Sequence, residues 1–305
     1  MKILVVHSGN ILGVSPFISE QIKSLRCNGL TLDTFQIRGK GLYGYLSNIS
    51  SLRKRIRKFS PDIVHAHYGF SGLLCVLQKI CPVVITFHGS DINNIKNLFF
   101  SFFASLFSSA NIIVDKKMGK FLIKNKTFVI PCGVDLDVFN EKDSSKAKTE
   151  FDLDKGYYYA LFSSSFDRKI KNYKLAKDAI DILNFKKFPI KLLELKNLSR
   201  ERVSNLLNAV DIALLTSFSE GSPQFIKEAM ATNCKIISTD VGDVKKIFSD
   251  SNSCLITSYC AEELASKIKF LITSDVKADS KNYVQDYDLD KIAKQIILVY
   301  KKILS

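Results

Sequence analysis

The sequence predicts an α/β fold of two Rossmann-like domains, and three observations support this prediction. Short apolar runs alternate with amphipathic stretches along the whole chain, a pattern typical of βαβ units and parallel sheets. The length of 305 residues suits two domains better than one core. The alternation stops once, at the charged, serine-rich stretch 140–156, which is typical of a linker. We therefore place the domains at residues 1–145 and 146–305, and we expect a C-terminal helix, about 288–305, to pack back towards the first domain.

Eleven apolar runs are predicted to be strands. In the first half they are "KILVVH", "LTLDTFQI", "DIVHAHY", "PVVITFH", "NIIVDK" and "TFVIP". In the second half they are "YYYALFSSS", "IKLLEL", "DIALLTS", "KIISTD" and "SCLITS". In such sheets ligands bind outside the carboxyl ends of the strands, so each loop that follows a strand is a candidate for function.

The charge of the chain is uneven. The net charge is +14, and residues 1–140 contain 17 Lys and Arg against 7 Asp and Glu, a net +10. A basic half indicates an anionic partner such as nucleic acid, anionic lipid or a phosphorylated substrate. A general lysine excess that only keeps the protein soluble is the alternative. No RNA- or DNA-binding motif is present, so we expect no nucleic-acid partner.

Cysteine usage and hydropathy indicate the compartment. The seven cysteines contain no C-x-x-C pair, and Cys75 and Cys234 lie in apolar stretches. This pattern favours free thiols in a reducing cytosol over a zinc site or a disulfide framework. No apolar stretch reaches the roughly 20 residues that span a bilayer. We expect a cytoplasmic protein, with peripheral attachment to the inner face of the plasma membrane as a further hypothesis.

Three loops after predicted strands contain candidate ligand-binding residues. Gly9 and Gly13 bracket the turn after the first strand, where backbone N–H groups can approach a phosphate, although a purely structural turn explains them equally well. His88 opens "HGSDIN", a polar loop suited to orienting hydroxyl groups, with a hydrogen-bonded structural histidine as the alternative. His65 and His67 alternate with apolar residues and are interpreted as structural. The third loop, "FDRKIKNY", contains a basic cluster suited to a diphosphate, or else an exposed charged turn; its residues are Arg168, Lys169, Lys171 and Asn172.

The stretch "TSFSEGSPQFIKEAMATNC" contains two glutamates on either side of a predicted helix start. Ser222 is predicted to be the N-cap and Pro223 the first helical residue. Glu220 then lies on the loop at the strand end, and Glu228 lies inside the helix. A helix N-terminus favours an anion. One carboxylate for each of two hydroxylated rings, with a helix end for the diphosphate between them, describes a nucleotide sugar.

These residues resemble glycosyltransferase family 4, of GT-B fold. The resemblance centres on "VDIALLTSFSEGSPQFIKEAMATNCKIISTDVGDV" and continues in "PDIVHAHYG", "VVITFHGSDIN", "VIPCGVDLDVF" and "SSFDRKIKNYKLAKDAI". It implies an α/β GT-B architecture in which two Rossmann-like domains face each other across a deep cleft. It also implies retaining transfer of a sugar from a UDP- or GDP-linked donor to a glycan or lipid-linked acceptor, as in bacterial surface-polysaccharide synthesis, with no cofactor and no metal.

The resemblance assigns roles to individual residues. Glu220 would contact the donor sugar and Glu228 the ribose, while Arg168 and Lys171 would stabilise the departing diphosphate. His88 would lie near the sugar and the acceptor. The remaining residues would contact the donor; they are Gly13, Lys169, Asn172, Gly221, Ser222, Pro223, Gln224 and Glu228 itself.

The sequence departs from the family pattern at two places that bear on function. Ser164 or Ser165 stands where glycine is usual, and Arg168 is closer to Lys171 than in the family, which leaves Lys169 as its alternative. A catalytically inactive GT-B scaffold, or a basic lipid- or nucleic-acid-binding protein, are the other function classes that we consider.

The segment 97–109, "NLFFSFFASLFSS", is predicted to be a helix with one phenylalanine-rich face opposite Ser101, Ala104 and Ser105. An earlier predicted helix, "SLRKRIRKF", has a basic outer face. Core packing of the phenylalanines is one interpretation. The other is that the first domain docks on an anionic membrane surface.

Overall fold

Two parallel sheets, one in each of two units, form the framework of the protein in the computed structural model, which describes residues 1–9, 14–89, 91–92, 95–122 and 124–305. The first unit comprises Met1–Gly133 and Leu289–Ser305, and the second comprises Val134–Asp288. All eleven predicted strands are confirmed, and so is the α/β class.

The sheet of the first unit has six strands in the order β2-β1-β3-β4-β5-β6. They are β1 Lys2–Ser8, β2 Thr31–Ile37, β3 Ile63–His67, β4 Val83–Phe87, β5 Ala110–Ile113 and β6 Thr127–Val129. Alternate residues of β1 enter different cores, because successive side chains of a strand point to opposite faces. The helices that follow these strands are α1 Pro16–Cys27, α2 Gly41–Leu46, α3 Ile49–Phe59, α4 Gly69–Val76 and α5 Ile95–Phe107.

The sheet of the second unit has five strands in the order β11-β10-β9-β7-β8. They are β7 Tyr158–Phe162, β8 Ile190–Glu194, β9 Ile212–Leu215, β10 Ile236–Thr239 and β11 Cys254–Thr257. The helices are α6 Ser144–Glu150, α7 Tyr173–Phe185, α8 Arg200–Ala209, α9 Gln224–Ala231, α10 Val244–Phe248 and α11 Ala261–Thr273. Helices α7 and α11 cover one face of the sheet, and α8, α9 and α10 cover the other.

The last helix, α12 (Leu289–Leu304), belongs to the first unit. It packs beside α1, where the Ser24 hydroxyl donates to the Leu289 carbonyl at 3.0 Å. Its Tyr300 is fully buried, with the hydroxyl 2.5 Å from Nδ1 of His65. The chain therefore returns to complete the core of the first unit.

The boundary between the units lies before the predicted boundary at 145/146. Val134 and Phe139 are fully buried in a core of the second unit. The backbone N–H of Lys142 donates to Oδ1 of Asn208 at 2.7 Å. The segment after Gly133 thus belongs to the second unit, because its apolar side chains pack against α8. The prediction used only the low apolar content of the linker and therefore placed the boundary too far along the chain.

Candidate functional site

The loops that follow β7 and β9 meet at the carboxyl end of the second sheet, because these strands are parallel neighbours. The Thr216 hydroxyl lies 3.0 Å from the carbonyl oxygens of both Lys171 and Asn172. The backbone N–H of Phe218 donates to the Ile170 carbonyl at 2.9 Å. These bonds hold the two predicted ligand-binding loops together.

Lys171 and Glu220 form an ion pair between these loops. Nζ of Lys171 lies 2.6 Å from Oε1 of Glu220, and the Ser217 hydroxyl donates to the same oxygen at 2.7 Å. Both charged side chains are largely enclosed, with 12% and 16% of their surface exposed. The structure therefore brings together a cation suited to a phosphate and a carboxylate suited to sugar hydroxyls.

The other members of the basic cluster are more exposed. Arg168 lies at the surface, with its guanidinium 3.4 Å from the Ser164 hydroxyl, and Lys169 is exposed in a 3₁₀ turn before α7. Asn172 adopts a left-handed conformation, with φ of 52°, and ends that turn. The predicted cluster before a helix is confirmed in place, and Lys171 is the member that reaches Glu220.

Helix α9 begins at Gln224, so the prediction that Pro223 is the first helical residue is wrong by one position. The prediction of Ser222 as N-cap is also wrong. Its hydroxyl instead donates to Oδ2 of Asp243 at 2.6 Å and accepts from Nζ of Lys227 at 2.5 Å. The bond to Asp243 forms because the loop between β10 and α10 lies directly against Ser222.

Close packing fixes the loop around Gly221. Gly242 has φ of +58°, and a Cβ atom there would lie 2.1 Å from the Gly221 carbonyl oxygen. Lys227 is fully buried, with its ammonium also 3.4 Å from the Ser222 carbonyl. Gly221, Ser222 and Pro223 are buried, and Gln224 is half-buried at the helix start. Packing against Gly242 and Lys227 therefore fixes the backbone that was predicted to contact the donor.

Glu228 is 3% exposed and forms an ion pair with Arg200, whose NH2 lies 2.5 Å from Oε1. Arg200 stands at the start of α8, and its guanidinium also lies over the Phe139 ring, 4.6 Å from the centroid. The sequence analysis missed Arg200. The signal was available, because Arg200 follows the predicted strand "IKLLEL" just as the other site residues follow theirs.

His88 lies at the carboxyl end of β4 in the first unit. Its Nε2 is 2.9 Å from Nδ1 of His67, the last residue of β3, and its Nδ1 is 3.8 Å from Sγ of Cys132. The Asp91 carboxylate accepts from the backbone N–H groups of His88 at 3.1 Å and of Gly89 at 2.9 Å. This arrangement fixes the position of the His88 ring.

The titratable groups around His88 have displaced pKa values. Burial lowers the pKa of His88 to about 3, with a smaller effect from His65. Burial also lowers the pKa of His65 to about 3, and that of His67 well below its usual range. Burial raises the pKa of Asp91 to about 6, against the effect of its backbone hydrogen bonds. The three imidazoles are therefore neutral at pH 7 and act as hydrogen-bonding groups.

Three further expectations concern Gly13, a metal site and membrane-spanning helices. Gly13 lies outside the described residues, so its predicted role stays a prediction. Across the described ranges, no three side chains of His, Cys, Asp or Glu are grouped so that they could hold a metal ion. In the same part of the chain, no helix is both long and apolar enough to cross a membrane.

Comparison with known proteins identifies the family. The profile of Glycosyltransferase Family 4 matches residues 30–138, and that of Glycosyl transferases group 1 matches residues 189–274. A Bacillus subtilis protein, provisionally named as a teichuronic acid biosynthesis glycosyltransferase, is 27% identical, over 70% of this chain and 61% of its own length. The chain thus spans less than two thirds of that relative.

Solved structures show the same fold. Sucrose-phosphate synthase from Thermosynechococcus elongatus has a TM-score of 0.83 at 14% identity, covering 99% of this chain and 98% of its own. HepE of Anabaena, in complex with UDP, has a TM-score of 0.77 at 16% identity, covering 99% of this chain and 100% of its own. The two parallel-sheet units match this GT-B architecture. The two profiles together match more than half of the chain, and on that ground the chain belongs to the family 4 glycosyltransferases.

Proposed function

We propose that the protein transfers a sugar from a nucleotide-diphosphate sugar, UDP- or GDP-linked, to a glycan or lipid-linked acceptor with retention of configuration. The observation that carries the proposal is the pair of carboxylates Glu220 and Glu228, each matched with a cation, on either side of the start of α9. A diphosphate would take Lys171 and the helix N-terminus, and the two flanking rings would take one carboxylate each.

In the proposed reaction the bond between the anomeric carbon and the diphosphate oxygen breaks, and the acceptor oxygen bonds to the same face of that carbon. The acceptor proton passes to the departing phosphate oxygen. Lys171, with Arg168 or Lys169, would stabilise the negative charge that develops there, a term expected to dominate catalysis. Within the first unit, we propose that His88 serves this reaction as a neutral imidazole.

We also propose that no metal takes part, since the phosphate charge would be met by Lys171, the neighbouring basic residues and a helix end. Transfer should then persist when EDTA is added. Loss of activity on chelation, with recovery on addition of Mg²⁺ or Mn²⁺, would contradict this.

The acceptor and the place of action are proposals of the same kind. The Bacillus subtilis relative is named for teichuronic acid biosynthesis, which supports the proposal of a role in bacterial surface-polysaccharide synthesis. We propose that the protein acts at the cytoplasmic face of the plasma membrane, where it would meet a lipid-linked acceptor.

The first test is a ligand screen by thermal unfolding with UDP, GDP and their sugars. UDP is a suitable first probe, since HepE has been solved with UDP and with UDP-glucose. A ligand at about 100 times its Kd should stabilise the protein by about 2.7 kcal/mol. Binding of neither nucleotide would refute the proposal. Binding without any turnover, by transfer or by hydrolysis of the donor, would favour an inactive scaffold.

A further inference from the structure

Helix α5 leaves four of its five phenylalanines exposed. The small residues Ser101, Ala104 and Ser105 are buried, with Ser101 beside Gly69 of α4, while Phe99 is 61% exposed and Phe107 is 67% exposed. Phe102, Phe103 and Leu106 are also exposed. Core packing, one of the two interpretations of this face, therefore does not account for it.

The buried side of α5 makes a close helix contact. A Cβ atom at Gly69 of α4 would lie 1.9 Å from the Ser101 hydroxyl oxygen, so α4 and α5 are in close contact at these two small residues. A contact this close leaves no room there for a side chain larger than serine. Phe100, the preceding residue, is half-buried with its ring 5.0 Å from that of Phe70 on α4, whereas the other four phenylalanines of α5 are exposed.

An apolar cavity of about 650 Å³ opens beside this face. That volume is within the range of about 300–1,000 Å³ that is typical of ligand pockets. Helices α2, α4 and α5 line it, through residues that include Leu42, Leu73, Val76, Phe99 and Phe103, and none of its described lining residues is acidic.

The cavity is separate from the candidate site of this unit. Val83 is the first residue of β4, and Ser109 directly precedes β5, so the cavity lies at the amino ends of these strands. His88 follows the opposite end of β4. A ligand in the cavity would therefore hold the protein in place rather than react.

A basic groove of about 410 Å³ lies along β2 and α3. Four of its lining residues are cations, namely Arg38, Lys54, Arg55 and Lys58. Arg55 is paired with Asp33 at 2.6 Å, which leaves three cations in excess of this carboxylate. Helix α3 also borders the apolar cavity, since NH2 of Arg53 donates to the Leu77 carbonyl at 2.9 Å. The apolar cavity and the basic groove thus both lie near α3, which lines the groove and contacts Leu77 of the cavity.

We infer that this face of the first unit binds the surface of a bilayer that contains anionic lipid. The phenylalanines of α5 and the cavity take hydrocarbon, and the groove cations meet the phosphate headgroups. This inference deepens the proposed lipid-linked acceptor and rests on it. A second copy of the chain fits less well as the partner. Residues 1–140 carry a net charge of +10, so these parts of two copies would repel each other.

The test measures co-sedimentation of the full chain with vesicles of phosphatidylcholine, alone or mixed with phosphatidylglycerol. Binding should rise with the phosphatidylglycerol fraction and fall with salt. The groove variant R38Q/K54Q/K58Q should lose about a hundredfold in vesicle binding, since three surface cations are removed. The apolar variant F99S/F107S should lose about tenfold or more.

Matched controls are available in the second unit. Phe185, at the end of α7, is 89% exposed, and Lys245 and Lys246 are exposed on α10. Phe185→Ser and K245Q/K246Q should leave vesicle binding within about twofold of wild type, because they lie outside the proposed surface. All variants should keep the UDP binding of the wild type, so a failure of vesicle binding is distinguishable from a failure of the donor proposal.

Three outcomes would overturn the inference. The first is vesicle binding that ignores lipid charge or is absent with every vesicle. The second is equal loss in the control variants. The third is sedimentation equilibrium that shows a dimer which F99S/F107S dissociates, because this would assign the surface to a second copy.

Discussion

The ammonium group of Lys171 lies 2.6 Å from Oε1 of Glu220, although the residues are 49 positions apart in the sequence. In the proposed reaction a diphosphate competes for this ammonium group, and Glu220 is released to accept hydrogen bonds from the sugar. Before the donor binds, the ion pair would hold both side chains in the positions that the reaction needs.

The first prediction concerns turnover. Lys171→Ala should raise the barrier by roughly 2.7–4 kcal/mol, the usual effect of removing a donor that stabilises a developing oxyanion. Glu220→Ala should lower kcat more than it weakens donor binding, because contacts to the reacting ring tighten towards the transition state. Steady-state kinetics with the donor found in the ligand screen would measure both. Lys174→Ala, at an exposed position paired with Asp178, is the control. Wild-type rates in both site variants would remove these residues from the mechanism.

The second prediction concerns the nucleotide. If Glu228 accepts hydrogen bonds from the ribose, wild-type protein should bind UDP more tightly than 2′,3′-dideoxy-UDP. In Glu228→Gln this preference should shrink, because the neutral amide is a weaker acceptor for hydroxyl donors. Isothermal titration with the two nucleotides measures the ratio. A ratio that is the same in variant and wild type would place the ribose elsewhere.

The third prediction concerns stability. Glu228 is 3% exposed, so Arg200→Ala would leave its carboxylate buried without this cation. Breaking a buried ion pair in this way typically costs about 3–5 kcal/mol of unfolding free energy. Urea unfolding would measure the loss. The double variant R200A/E228Q should recover part of it, since the uncompensated charge is gone; a double variant that is no more stable than Arg200→Ala would contradict the explanation.

The fourth prediction concerns acid. The pKa of His65 is about 3 in the folded protein, against an ordinary value near 6.5. A depressed folded pKa means that the unfolded chain binds more protons below pH 6.5, so stability is present above that pH and is lost as the pH falls towards 3. Between pH 7.5 and 5.5 this group alone should cost about 1.4 kcal/mol.

Other groups set the net effect of acid. His67 and His88 act in the same direction as His65. Asp91, with its pKa raised to about 6, acts in the opposite direction, since its stabilising effect grows as the pH falls through 6. The free energy of unfolding should show a net decrease from pH 7.5 to pH 5.5. His65→Gln should reduce the slope of this free energy against pH. An unchanged slope would show that His65 is not desolvated as described.

The sequence by itself determined the elements of this fold. The eleven strands appear where apolar runs stand, because alternation of strand and helix is a local property of side-chain periodicity. The two glutamates of "SEGSPQFIKEA" could be placed at a strand end and inside a helix for the same reason. The free, buried thiols of Cys75 and Cys234 also follow from local apolar context.

The tertiary structure decided which residues meet. The partners Lys171 of Glu220 and Arg200 of Glu228 lie 49 and 28 positions away, beyond the reach of local periodicity. Ser222 could not be assigned from capping preference, since Asp243 competes for its hydroxyl. The sequence left two interpretations of the phenylalanine face of α5, and the structure leaves four of its five phenylalanines exposed while the small residues Ser101 and Gly69 form the close contact with α4. Packing between distant segments, which no single stretch of sequence encodes, set each of these outcomes.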